Sequence, residues 1–232
     1  MHTPIVPMIV KLFDPLVSGQ AWRGLEAVLD EIEQAEDFFF IQIGANDGVV
    51  HDPLYKRVLR NNWRGILIEP VRFYFDRLKR NYGEGGGSEL IFENIAISAR
   101  DETRDFFRIR EGLDFLPQWT KGLGSFNRAV LMKHRWVIPD IGRYIVQEKV
   151  ECLSFTSLLE RHDVEKVDLL AIDTEGYDYE IIRRINFDRV RPGVVLYEHK
   201  HLSRVDRRDC ERLLEKNGYR FRRNFSNTLA YS

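Results

Sequence analysis

The stretch Phe38-Phe-Phe-Ile-Gln-Ile-Gly-Ala-Asn-Asp-Gly48 decides the fold of this chain. Five of its first six residues are apolar, and such a run is typical of a strand buried on both faces of a parallel sheet. The glycines and the Asn-Asp pair tolerate left-handed or tight backbone, so they predict a turn. Pro53 suits the first turn of a helix that follows. A strand, a small-residue loop and a helix in this order predict a nucleotide pocket at the edge of an open α/β sheet.

The composition predicts one domain with a sizeable core. The chain has 232 residues, of which 44% are hydrophobic, and its formal net charge is -1. This balanced charge does not favour nucleic-acid binding, and we expect no nucleic-acid partner. Two cysteines, Cys152 and Cys210, are too few for a disulfide framework or a cysteine-based zinc site. We expect them to be buried thiols in a reducing compartment.

The hydropathy of the chain predicts a cytoplasmic protein. No apolar run reaches the roughly 20 residues that a membrane-spanning helix needs. Residues 1–13 contain one lysine but no charged n-region and no small-residue cleavage site, so we expect no signal peptide. Basic residues are frequent between residues 204 and 223, which leaves peripheral contact with an anionic membrane open. Assembly into a homo-oligomer is also left open.

The chain divides into an N-terminal extension and one domain. Apolar residues recur at helical spacing from residue 21 to residue 36, so we expect residues 1–36 to form a helical extension. Residues 37–232 are expected to form a single domain. Within it, residues 110–145 combine glycines, prolines and aromatic residues without a regular period. Such a segment in a compact domain predicts a lid or a substrate-binding insertion.

An acidic residue ends the second predicted strand. Residues 65–70 form a short apolar run that includes Glu69, 21 residues after Gly48. A carboxylate offers two acceptor oxygens, and the diol of a ribose offers two donors. An acid at the tip of the second strand therefore predicts a bond to the ribose of a bound nucleoside.

Further acids and two histidines follow two later strands. One buried run ends in a turn with Asp173 and Glu175, and another ends in Glu198, followed by His199 and His201. Ligands bind outside the carboxyl ends of parallel strands, so we expect these side chains to face the pocket that the first loop begins. The same acids could instead cap the helices that follow.

These motifs resemble those of the FkbM family of S-adenosylmethionine (SAM)-dependent methyltransferases. The resemblance rests on Ile-Gly-Ala-Asn-Asp-Gly at 43–48, on Glu69-Pro70, and on Ile-Asp-Thr-Glu-Gly-Tyr-Asp at 172–178. It covers roughly residues 38–202. It implies a class I methyltransferase fold, which is a Rossmann-like, seven-stranded, mostly parallel sheet with helices on both faces and a C-terminal antiparallel hairpin.

The resemblance also implies SAM as the cofactor. The glycines of the first loop would let the backbone approach this ligand closely, and the end of the third strand would lie against the adenine. The glycine-serine stretch at 122–126 resembles a family segment near the cofactor. The residues expected to bind SAM are Gly44, Ala45, Asn46, Asp47, Gly48, Glu69, Pro70, Asn94, Ala96, Ser125, Asp173 and Glu175.

The catalytic residues expected at the later strand ends are Asp173, Glu198, His199 and His201. An alcohol becomes a good nucleophile when a base takes its proton or a metal lowers its pKa. In one mechanism, Asp173 with Glu198 or His199 binds a cation such as Mg²⁺. In the other, no metal is needed and His199 or His201 is the general base.

The function expected from the resemblance is O-methylation of a hydroxyl on a sugar, glycan or related natural product. The partner is then a small-molecule or glycan acceptor. Two alternatives stay open, because the residues alone indicate only a nucleotide-binding α/β domain. The first is methylation of nitrogen or of a carboxylate, and the second is a non-catalytic SAM-binding subunit of a glycan assembly complex.

Overall fold

The computed structural model describes residues 27, 29–30, 37–50, 52–83 and 89–232. Most of the expected helical extension at residues 1–36 therefore lies outside the described residues. No helix in the described part of the chain is long and apolar enough to cross a membrane.

Strands and helices alternate along most of the described chain. The strands are β1 (Phe39–Ile43), β2 (Arg64–Ile68), β3 (Leu90–Glu93), β4 (Ala96–Ser98), β5 (Glu102–Ile109), β6 (Gly124–Ser125), β7 (Ile145–Ser154), β8 (Leu169–Ile172), β9 (Val194–Glu198), β10 (Arg220–Arg223) and β11 (Asn227–Tyr231). The α-helices that follow β1 are α1 (Tyr55–Asn61), α2 (Arg72–Gly83), α3 (Arg128–Met132), α4 (Phe155–Arg161), α5 (Asp178–Ile182) and α6 (Arg204–Lys216). Short 3-10 helices span Gln118–Thr120, Lys133–Trp136 and Ile141–Arg143.

A seven-stranded sheet forms the centre of the domain, in the order β10-β11-β9-β8-β1-β2-β3. The five strands from β9 to β3 pair in parallel, while β11 is antiparallel to β9 and to β10. The predicted mostly parallel sheet and its closing hairpin are confirmed. The order reverses at β1, which lies between β2 and β8, and ligands bind at such a switch point.

Helices cover both faces of this sheet. On one face, apolar residues of α4, α5 and α6 pack with Ile41, Ile43 and Ile172. On the other face, α1 and α2 pack with Phe40 and Leu67. The strands are therefore buried on both sides, as their continuous apolar runs predict. The two cysteines are free and buried, as expected.

A second sheet of four strands, in the order β4-β7-β5-β6, stands outside the central one. Its main ladder pairs β5 with β7 antiparallel, from Glu102 opposite Cys152 to Ile109 opposite Ile145. The segment expected to be irregular, residues 110–145, leaves and rejoins this ladder. It has an apolar cluster of its own, which includes Leu113, Leu123 and Ile141.

Two positions of the first loop require glycine, because other segments of the protein lie against them. Gly44 has φ +83°, and a Cβ there would overlap the carbonyl oxygen of Asp173. Gly48 has φ +75°, and a Cβ would press on Leu78 and Tyr82 of α2. The expectation that both glycines also serve close approach to a ligand stays a prediction. Their small size lets the loop lie against β8's end and against α2.

A buried carboxyl group fastens α5 to the end of β9. Asp178 is 0% exposed and accepts hydrogen bonds from the backbone N–H of Glu198 at 3.0 Å and from the hydroxyl of Thr174 at 2.8 Å. Burial raises the pKa of Asp178 to about 7, and the neighbouring Asp173 adds to the rise. The protein therefore retains a proton at Asp178 that the unfolded chain loses near its ordinary pKa of 3.8.

We expect Gly44→Ala to destabilise the protein by more than ~2 kcal/mol, since it forces a left-handed alanine against backbone. Urea unfolding followed by circular dichroism measures this loss. Gly83→Ala is the matched control, because a Cβ at Gly83 meets nothing within 4 Å. Equal stability of the two variants would contradict the close contact between the first loop and Asp173.

We expect the free energy of unfolding to fall as pH rises from 5 to 8. Between pH 3.8 and about 7 the folded protein holds the proton of Asp178 that the unfolded chain has lost, so raising the pH favours unfolding. Asp178→Asn keeps an acceptor but cannot ionise, so it should flatten this slope by on the order of 1 kcal/mol or more.

Urea midpoints at pH 5 and pH 8 measure the effect. Asp105→Asn is the control, because hydrogen bonding to Lys149 lowers the pKa of Asp105 and moves its titration below this window. A wild-type protein that is as stable at pH 8 as at pH 5, with Asp178→Asn unchanged, would contradict the buried protonated carboxyl.

Candidate functional site

A cavity of about 610 Å³ opens at the carboxyl ends of β1, β2 and β8. Its size is in the range of small-molecule and cofactor sites. Nine of the residues expected to bind the cofactor line it. They are Gly44, Ala45, Asn46, Glu69, Pro70, Ala96, Ser125, Asp173 and Glu175.

Glu69 is a buried acidic residue in the wall of the cavity. It is 6% exposed, and its two carboxylate oxygens accept the N–H groups of Asn46 at 2.9 Å and of Val71 at 2.8 Å. Each oxygen keeps acceptor capacity beyond these bonds, so a diol could still be bound. Burial raises the pKa of Glu69 to about 7, and the two backbone hydrogen bonds oppose this rise.

Three of the expected cofactor residues lie behind the cavity wall and shape it. Asp47 accepts the N–H groups of Val49 and Val50, so its carboxylate closes the turn of the first loop. Asn94 donates to the carbonyl oxygens of Glu69 and Pro70 at 2.8 and 3.0 Å. Gly48 packs on α2, as described above. Asp47, Gly48 and Asn94 are not among the residues that line the cavity, and their direct contacts with a cofactor stay a prediction.

The acids after β8 lie in or beside the cavity. Asp173 and Glu175 line it, and Asp173 is exposed to solvent there. Glu175 has φ +54°, a left-handed conformation that is uncommon for a residue with a side chain. Burial raises the pKa of Glu175 to about 8, and the charge of Asp173 raises it further.

Glu198 at the end of β9 and His201 just after it form a group with Glu175 rather than with Asp173. The Nε2 atom of His201 lies 3.3 Å from Oε2 of Glu175 and 3.5 Å from Oε2 of Glu198. Burial raises the pKa of Glu198 to about 8 and lowers the pKa of His201 to about 4. At neutral pH the imidazole of His201 is therefore neutral, although it is a weaker base than an ordinary histidine.

His199 does not join this group. It is 4% exposed, and its Nδ1 atom lies 2.8 Å from the hydroxyl of Thr228 on β11. It is absent from the cavity lining among the described residues, whereas Glu175 belongs to that lining. The expected set of Asp173, Glu198 and His199 is therefore corrected, because the ring that meets the acids belongs to His201.

The segment from Trp119 to Phe126 closes one side of the cavity. The hydroxyl of Tyr74 accepts the N–H of Gly122 at 2.9 Å, and the side chain of Asn46 donates to the carbonyl of Lys121 at 3.3 Å. This segment of the expected insertion is thus tied to the first loop and to α2. Phe126 adds an aromatic wall and stacks with Arg104, whose Cζ atom lies 4.0 Å from the ring centre.

Sequence reasoning missed two polar residues of the cavity, Gln42 and Asp52. Gln42 is 8% exposed and donates to Asp52 at 3.0 Å, while its Oε1 atom has no hydrogen-bond partner. Burial raises the pKa of Asp52 to about 6. The signal was present in the sequence, because Gln42 is the one polar residue in the apolar run of β1. A polar side chain in a buried strand needs a partner.

The arrangement can bind a nucleoside and handle a proton in one site. The apolar residues Ile95, Ala96 and Phe126 also line the cavity and suit a flat base. The carboxyl and imidazole groups after β8 and β9 suit proton transfer or cation binding.

A family model matches most of the chain. The model of the Methyltransferase FkbM domain matches residues 42–221, which is most of the chain. A search of curated proteins gives no match.

Solved structures of methyltransferases match this chain at low sequence identity. The FkbM methyltransferase from Methylobacillus flagellatus KT is 12% identical with a TM-score of 0.54, and the alignment covers 86% of this chain and 44% of that one. The N-terminal domain of human METTL16 in complex with SAH is 13% identical with a TM-score of 0.46, covering 91% of this chain and 69% of that one. The chain thus spans less than half of the FkbM structure. The family model and the arrangement of strands lead to one conclusion: the chain belongs to the FkbM methyltransferase family.

Proposed function

We propose that this chain is a SAM-dependent methyltransferase that methylates a hydroxyl group of a sugar, glycan or related natural product. The observation that carries the proposal is the buried carboxylate of Glu69 at the wall of a cofactor-sized cavity. Its oxygens are fixed by the N–H groups of Asn46 and Val71, so no side-chain ordering is needed when a diol binds. Membership of the FkbM family supports the choice of cofactor.

The residues of the cavity fit the parts of SAM. Glu69 would accept the ribose hydroxyls, and Ile95, Ala96 and Phe126 would contact the adenine. When bound, SAM would supply a methyl group on a positively charged sulfur.

The acids and the imidazole after β8 and β9 would prepare the acceptor. Methyl transfer requires the acceptor oxygen to be placed in line with the breaking bond and to lose its proton. Asp173 is exposed within the cavity and would orient the hydroxyl. In a metal-free mechanism His201, which is neutral near pH 7, would take the proton, with Glu175 and Glu198 beside it. We do not assign His199 the role of the base, because its ring is buried and contacts Thr228.

The side of the cavity formed by residues 110–145 would select the acceptor. Trp119 lines the cavity and is 40% exposed, and the tilted ring of His134 packs against it at 5.0 Å between ring centres. His134 in turn lies 6.3 Å from the ring of His201. An exposed aromatic face beside the proposed base suits a sugar ring, since apolar C–H faces of sugars stack on aromatic rings. This supports a glycan or sugar acceptor over a small ion.

We expect Glu69→Gln to weaken binding of S-adenosylhomocysteine about 10- to 100-fold, since it removes one carboxylate acceptor from a ribose diol. Isothermal titration calorimetry measures the dissociation constant, and the thermal midpoint shows whether the variant folds. Glu93→Gln is the control, because Glu93 ends the neighbouring strand and contacts His162 outside the cavity lining. Wild-type protein that binds no S-adenosylhomocysteine at millimolar concentration would refute the proposed cofactor.

We expect the protein to transfer labelled methyl groups from SAM to hydroxyl acceptors, giving a product that resists mild base. An ether survives base, whereas a methyl ester is cleaved. Asp173→Asn should lower turnover about 100-fold or more by misplacing the acceptor, while the exposed Asp188→Asn leaves it unchanged.

Two outcomes of this assay would favour the alternatives. Label that is released by base, or that enters amines only, would indicate carboxyl or nitrogen methylation. Tight binding of S-adenosylhomocysteine with no transfer to a panel of sugars, polysaccharides and amines would favour a non-catalytic binding subunit.

A further inference from the structure

Glu175, Glu198 and His201 form a cluster at the ends of β8 and β9. One atom of each, two carboxylate oxygens and a ring nitrogen, lies within 4.8 Å of the other two. The cluster combines two hard oxygen ligands with one imidazole, which is a donor set that proteins use for divalent transition metals. It differs from the Asp173, Glu198 and His199 set expected from the sequence.

The distances fit ligands around a common ion better than a hydrogen-bonded triad. The Nε2 atom of His201 is 3.3 Å from Glu175 Oε2 and 3.5 Å from Glu198 Oε2. A hydrogen bond between imidazolium and carboxylate is shorter, at ~2.7–2.9 Å. Two ligands bound at ~2.1 Å in a tetrahedral shell lie ~3.4 Å apart. The two separations that involve His201 match this last value, and the two carboxylate oxygens lie within 4.8 Å of each other.

Two of the three donor atoms are left unsatisfied by the protein. The Oε2 atoms of Glu175 and Glu198 are both buried, and neither has a hydrogen-bond partner within the described chain. The Nε2 atom of His201 lies close to both oxygens, but neither contact is a hydrogen bond. Buried carboxylate oxygens that face each other without donors are costly unless a cation or protons join them.

The backbone around the cluster makes this approach of His201 possible. Glu175 and Gly176 both have positive φ, at +54° and +100°. A Cβ at Gly176 would come within 3.1 Å of the carbonyl oxygen of His201, so only glycine leaves normal room there. Another histidine–glutamate pair of this protein differs. The Nε2 atom of His162 lies 2.7 Å from Oε1 of Glu93, in an ordinary hydrogen bond.

We propose that Glu175, Glu198 and His201 bind one divalent cation of the zinc class in a tetrahedral site that has one open position. Three protein ligands and an open fourth position are the arrangement of catalytic rather than structural zinc sites. The imidazole makes Zn²⁺ or Co²⁺ a better fit than Mg²⁺, which prefers six oxygen ligands. The site adjoins the cavity that Glu175 lines. Its use in lowering the pKa of an acceptor hydroxyl rests on the proposed function, whereas the binding itself does not.

Co²⁺ is the probe, because its visible absorption reports coordination geometry. Full-length protein freed of metal with a chelator should bind one Co²⁺ per chain, with the intense bands of a tetrahedral site, and Zn²⁺ should displace it. His201→Ala and Glu198→Gln should each weaken Co²⁺ binding at least 10-fold. His162→Ala is the matched control and should bind Co²⁺ like the wild type.

Two results would overturn the inference. The first is wild-type protein that shows no tetrahedral Co²⁺ spectrum and no Zn²⁺ binding by calorimetry. The second is Co²⁺ binding that His201→Ala and Glu198→Gln leave unchanged while circular dichroism shows both variants folded. If a substitution at either position unfolds the protein, Glu175→Gln supplies the same test.

Titration with S-adenosylhomocysteine on the same samples separates this inference from the proposed function. Cofactor binding without metal binding would refute the metal site and leave the methyltransferase proposal standing. Metal binding without cofactor binding would refute the methyltransferase proposal and leave the metal site standing.

Discussion

The carboxylate of Glu69 holds together the two loops on which the cavity depends. By accepting the N–H groups of Asn46 and Val71, it fixes the loop after β1 to the turn after β2. Asn94 reinforces the same turn from the third strand. The interaction is strong because the group is 6% exposed, where few waters compete for its oxygens. The floor of the site is therefore built before any ligand arrives.

The sheet and this floor could be predicted from the sequence, and the physical reason is local. Apolar runs such as Phe38–Ile43 have one stable place, the middle of a parallel sheet, and the residue after such a strand must lie at its carboxyl edge. Glu69, Asp173 and Glu175 are all positioned in this way. The roles of these residues stay predictions that the binding and transfer experiments test.

Contacts between segments that are distant in the chain could not be predicted. The chain leaves the sheet after Glu198, so the alternation of a strand no longer decides which way a side chain points, and His201 rather than His199 meets the acids. Position 48 requires glycine because a larger residue would collide with α2, a helix that comes after the next strand of the chain. The packed interior of residues 110–145 has no period to read, because short 3-10 turns and a two-residue strand build it.

The ladder between β5 and β7 has a consequence for how the segment between these strands can vary. The ladder ends with Ile109 opposite Ile145, so the two ends of the intervening segment are neighbours across one pair of strands. Inserting or deleting residues between them adds little closure entropy and leaves the central sheet untouched. The length of this segment can therefore vary without loss of the ladder, provided that its contacts with the first loop and with α2 are kept.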